Sequence, residues 1–153
     1  MDNSIKNIFN KIGEATDNSS LENALAQFDT LNKEQQAELA SALEQEVILG
    51  VGAFSAQEIM VIQAVAEMPF LFDSEADDLF PFHASVMLAK KVLDIKGDKA
   101  SPSIQFLGKK LEGLSDEEYN NTSKMASIFV EFINEVKKKP QDKQSLTKNP
   151  FSR

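Results

Sequence analysis

The chain has no cysteine, a single histidine (His83) and a single arginine, which is its last residue, Arg153. Each shortage removes a class of chemistry. Without cysteine there is no disulfide, no thiolate zinc site and no cysteine nucleophile, a composition that leans towards an intracellular home. One imidazole is too few for a zinc hydrolase. A di-iron bundle needs Glu-x-x-His pairs, and the residue three before His83 is Phe80. With arginine confined to the terminus, the planar bidentate grip on phosphate or guanine is missing, which argues against direct nucleic-acid readout.

Long apolar runs are also lacking. The greasiest stretch, 47–72, is broken by Glu58 and Glu67, so it falls short of the roughly 20 uncharged residues a membrane span needs. Asp2 and Lys6 stand near the start with no apolar run around them, which does not read as a signal peptide. The expectation is a soluble, cytoplasmic protein with no membrane span.

The phosphate and hydrolase motifs are missing too. There is no G-x-S-x-G elbow and no P-loop, and Gly50-Val51-Gly52 lacks the third glycine of a dinucleotide fingerprint. Neighbouring acids such as Glu117 and Glu118 point in different directions on a helix and read as solvated faces. The acids from Asp73 to Asp78 resemble a calcium loop only in spacing. An EF-hand needs glycine at loop position 6 and glutamate at 12, and here those positions hold Asp78 and Ala84. No catalytic residue, metal site or cofactor is assigned.

What is present is helical periodicity. The 153 residues, 42% hydrophobic and 26% charged, suit one soluble domain. Ile5, Ile8, Phe9 and Ile12 form one stripe, and Leu21, Leu25, Phe28 and Leu31 form a second, with Ser20 placed to cap it. Asn32 can cap a third helix lined by Leu39, Leu43 and Val47 and ended by Gly50 and Gly52. Capping boxes stand at Ser55 with Glu58 and at Ser115 with Glu118. The helix from Ser55 to Met68 is apolar nearly all round, the pattern of a helix at the buried centre of a bundle. A fifth helix is predicted over 81–95, a sixth from Pro102, and a long seventh carrying Met125, Phe129, Phe132 and Val136 and ending at Lys139. The prediction is all-α: a single-domain compact bundle of about seven helices over 1–139, followed by a flexible basic tail over 140–153.

Charge is uneven. Residues 1–136 hold 23 acids and 10 Lys, a net of −13, while 137–153 carry five Lys, Arg153 and one acid, a net of +5. The segment Pro69 to His83 then stands out, with four of the chain's 11 Phe and four acids close together. Aromatic anchors inside a polar rim are what protein-binding surfaces use. The partner-binding candidates are therefore Phe70, Phe72, Asp73, Glu75, Asp77, Asp78, Phe80 and Phe82. Phe82 shares a stripe with Val86, Ala89 and Leu93, so Phe72 and Phe82 are expected to turn inward and Phe70 or Phe80 to face out. The alternative is that all four aromatics close the core. Either way the expected function is a non-enzymatic, acidic, helical protein-binding module of the adaptor, inhibitor, immunity-protein or secretion-chaperone kind. Its partner would be a protein that is basic or offers an apolar groove. Two other functions compete with it. One is a nucleic-acid mimic that blocks a DNA- or RNA-binding protein. The other is an enzyme or metal protein using His83 with Asp77 or Asp78.

Overall fold

Local capping decides where the helices start. In the computed structural model, which describes residues 2–68 and 80–145 (the backbone alone over 139–145), eight α-helices and no strand are found among the described residues. They are α1 (Asn3–Glu14), α2 (Asn18–Ala26), α3 (Lys33–Gly52), α4 (Ala56–Glu67), α5 (Phe80–Lys96), α6 (Pro102–Glu112), α7 (Asp116–Tyr119) and α8 (Thr122–Ser145), with short 3-10 turns after α2 and α5. The fold is all-α, as the periodicity requires.

Both expected capping boxes form. The Ser55 hydroxyl accepts from the Glu58 N–H at 3.1 Å while the Glu58 carboxylate accepts from the Ser55 N–H at 2.8 Å, and Ser115 and Glu118 repeat the exchange. Asn32 and Gln35 make a third reciprocal pair at the start of α3. Three expectations are corrected. The cap of α2 is Asp17, whose carboxylate accepts from the Ser20 N–H at 2.7 Å, so Ser20 is the third helical residue and not the cap. The capping box at Ser115 starts only a single turn, α7, and not the long helix that carries Met125. Asn120 folds its side-chain amide back onto the Asp116 carbonyl, and Asn121 accepts from the Lys124 N–H to start α8 afresh. Finally, α8 does not stop at Lys139 but runs through Pro140 to Ser145. Proline forgoes one backbone bond inside a helix, a local cost that the turns on either side can absorb. Residues 146–153 of the expected tail lie outside the described residues.

The helices divide into two compact units: Met1–Val47 with Asp73–Ser101, and Ile48–Phe72 with Pro102–Arg153. In the first unit, α1 packs on α2 and α2 on α5. Its core holds Ile5, Ile8 and Ile12 of α1, Leu21 and Leu25 of α2, Phe28 of the 3-10 turn that follows, Leu39 and Leu43 of α3, and Phe82, Val86, Ala89 and Val92 of α5. The α5 stripe thus turns inward at Val92, and Leu93 is only half-buried. Glu44, only 9% exposed, ties this unit together. It receives the Lys96 ammonium at 2.6 Å and the Ser101 N–H at 2.6 Å. Gly97, at φ 53, makes the left-handed turn that ends α5 between those two donors, a conformation glycine adopts without strain.

In the second unit α8 is the central element, with α4, α6 and α7 all packed on it. Phe129 is fully buried, with Phe54 at 5.6 Å and Phe132 at 6.1 Å, both edge-on. Two polar ties set how α4 lies on α8. The Ser123 hydroxyl donates to the Ala66 carbonyl at the end of α4. The Lys137 ammonium donates to the Gly52 carbonyl just before α4 begins, at 3.0 Å, where a cation also meets the negative end of the α3 dipole. The two helices therefore run antiparallel.

Candidate docking surface

Twelve residues long and with no basic side chain, α4 was expected at the centre of a bundle. The structure overturns that expectation. Val65 is the one α4 residue that is buried, and α8 is the helix against which α4 chiefly packs. A helix covered along one side by one neighbour keeps its other side in water, whatever that side is made of. Among the described residues, the large apolar side chains left exposed are Leu49, Met60, Val61 and Met68. All of them fall within 49–68, and three are on or next to α4.

Helix geometry makes those three contiguous. Met60, Ala64 and Met68 follow one another at i, i+4 steps, and Val61 sits one row over, three before Ala64. The resulting stripe is about 12 Å long at 1.5 Å rise per residue. Val65, Ile62 and Ala66 occupy the inner side. Exposure is 68% for Met60, 54% for Val61 and 40% for Met68. Single exposed apolar residues are ordinary on a protein surface; a continuous row of them is not.

The edges of the stripe are acidic. Glu58 and Glu67 are exposed at the two ends of α4. The Ser55 backbone and hydroxyl hold the Glu58 carboxyl below its usual range, which keeps it charged and fixed in direction. The wider sequence has the same bias: between Lys33 and Lys90 there is no Lys or Arg, while ten Asp and Glu occur.

The sequence-predicted site is only partly in view. Phe70, Phe72, Asp73, Glu75, Asp77 and Asp78 lie outside the described residues. Phe80, the first residue of α5, is half-buried. Phe82 is 3% exposed, a core residue as its stripe predicts, and so offers a partner nothing to touch. His83 packs on the Phe82 ring at 4.6 Å between centroids, and burial holds its pKa below the usual imidazole range, so it is neutral at pH 7. No group of three His, Asp or Glu side chains able to hold a metal occurs among the described residues. Between α1 and α2 lies a shallow groove of about 280 Å³, lined by Lys11, Glu14, Ser20 and Gln27 among others. It is open and small, with one charge of each sign, and it offers no apolar anchor. No single described helix is long and apolar enough to cross a membrane, although α3 and α4 together would be if they were not bent by 91°.

Sequence reasoning passed over Met60, Val61 and Met68. The signal was present, since α4 is apolar on nearly every side, but it was read as burial. The chain matches no family model, no curated protein and no solved structure.

Proposed function

We propose that the protein is a non-enzymatic, acidic, helical binding module that acts by holding another protein against the outer side of α4. The observation that carries this reading is the Met60–Val61–Ala64–Met68 stripe, an apolar row exposed at Met60, Val61 and Met68 and half-buried at Ala64, on a helix whose opposite side is packed on α8. Methionine suits such a surface, because its unbranched, polarizable side chain adapts to differently shaped partners. The acidic surroundings give the surface a preferred class of partner and repel others.

A double substitution tests it: Met60→Ser with Val61→Ser. Both positions are exposed, so the melting temperature should stay within about 2 °C of wild type. Affinity capture from the native host, quantified by mass spectrometry, should yield a protein that wild type retains and the double variant loses. Reconstituted with that purified protein, the variant should bind more weakly by about 2 kcal/mol or more, the signature of central anchors. Identical captures by the two proteins would end the reading.

A further inference from the structure

Resting on that docking reading, we infer that the occupant of the α4 stripe is an amphipathic helix with a cationic polar face, supplied by another protein. The shape of the surface points to a helix. The row from Met60 to Met68 is about 12 Å long, close to the distance over which an α-helix presents anchors at i, i+3 or i+4, and i+7. A docked helix laid along α4 meets Met60, Val61 and Met68 with one apolar face.

Charge decides its chemistry. The occupant's polar flanks come to rest beside Glu58 and Glu67, with no lysine on α4 to offset them. The Glu58 carboxylate is fixed by its bond from Ser55 at the edge of the row. The last carbonyls of α4 add a partial negative charge at the Met68 end. Lysine or arginine on the flanks of the occupant is therefore attracted most strongly at the Glu67 and Met68 end, since at the other end the Lys137 ammonium on the Gly52 carbonyl and the positive end of the α4 dipole oppose Glu58. The same field disfavours the other occupants. An anionic membrane laid on the stripe would meet Glu58 and Glu67 on a helix that carries no Lys or Arg. A second copy would bring Glu58 and Glu67 of both chains together, on a protein of net charge −8.

The test uses the full chain and three synthetic 18-residue helical peptides that share one leucine face and differ in the polar face, which is lysine, glutamine or glutamate. Binding is read by fluorescence anisotropy across a salt series. The lysine peptide should bind at least tenfold more tightly than the glutamine peptide at low salt, the gap should narrow as salt rises, and the glutamate peptide should not bind. Met60→Ser with Val61→Ser should weaken the lysine peptide at least tenfold. Glu58→Gln with Glu67→Gln should shrink the lysine–glutamine gap and leave the glutamine peptide alone. Equal binding of the lysine and glutamine peptides, lost in the serine variant, would overturn the cationic assignment and leave the docking reading standing. Lysine-peptide binding untouched by the serine variant would reduce the effect to bulk attraction and overturn the inference. A photo-cross-linker at position 61 reads the remaining occupants: capture of a second copy, or of the chain's own 69–79 or 146–153 segments, in preference to the peptide would overturn it as well. No binding by any peptide and no cross-link would remove both this inference and the docking reading.

Discussion

Two helices of equal length, α1 and α4, treat their apolar residues in opposite ways. In α1, four of the 12 residues are large and apolar, and its three isoleucines are all buried. In α4, eight of the 12 are apolar, counting alanine, and one is buried. Hydrophobicity alone would rank them the other way round. Burial follows from the sorting of side chains around a helix and from the neighbours that cover it. The lysines and asparagines of α1 all fall on one side, so its apolar stripe and its packed face coincide. The apolar residues of α4 go most of the way round, and α8 covers one side of them.

That comparison would break if covered and uncovered positions proved equally costly to cut. The largest expected loss is at Phe129, fully buried between Phe54 and Phe132 on α8. Phe129→Ala should lower the unfolding free energy in urea by about 3–5 kcal/mol. A loss under about 1 kcal/mol would mean that α8 does not form the centre of its unit.

Next comes a polar counterpart, Glu44. Burial pushes its carboxyl up, but the bonds from Lys96 and from the Ser101 N–H together outweigh burial and hold it below the usual carboxylate range. A carboxyl lowered on folding stabilises the folded state above its unfolded value, about 4.3. That contribution fades as pH falls through the lower folded value. Glu44→Gln should therefore cost about 2 kcal/mol at pH 7, as a lost charge-assisted bond does. Wild type and variant should converge in stability as the pH falls below about 4. A gap that stays constant with pH would show that packing, not charge, is at stake.

The sharpest version uses two valines on one helix, four residues apart. Val65 is 4% exposed and Val61 is 54% exposed. Val65→Ala should cost about 2 kcal/mol, from two lost methyl groups and the space they leave. Val61→Ala should stay within about 0.5 kcal/mol. Equal losses at both would place Val61 under cover and remove the stripe.

The features that were legible in the sequence are those decided within a few residues. The boxes at Ser55 and Ser115 close through bonds spanning three residues, so a short window contains everything they need. Ser20 was expected to cap α2, and that Asp17 does so instead depends on where Leu21, Ala24 and Leu25 must point once α2 is packed. The break at Asn120 and Asn121 was hidden by the strength of the stripe that begins at Met125, which a reader extends backwards to the nearest cap. The outer side of α4 was illegible for a different reason. Periodicity records how a helix is decorated, and it carries no record of how many neighbours arrive to cover it. Of the eight candidate residues, Phe82 was placed correctly as an inward residue because its own stripe continues through Val86 and Ala89.

The exposed stripe also gives the surface a redox chemistry that the core does not share. Met60 is 68% exposed, whereas Met125 is 2% exposed beneath the same unit's helices. Peroxide reaches the outer thioether first and converts it to a sulfoxide, a polar and chiral group that methionine sulfoxide reductases can reverse. The apolar row would then be interrupted at its first residue while the interior stayed reduced, and an added oxygen localised to Met60 by peptide fragmentation would report which side of α4 faces water.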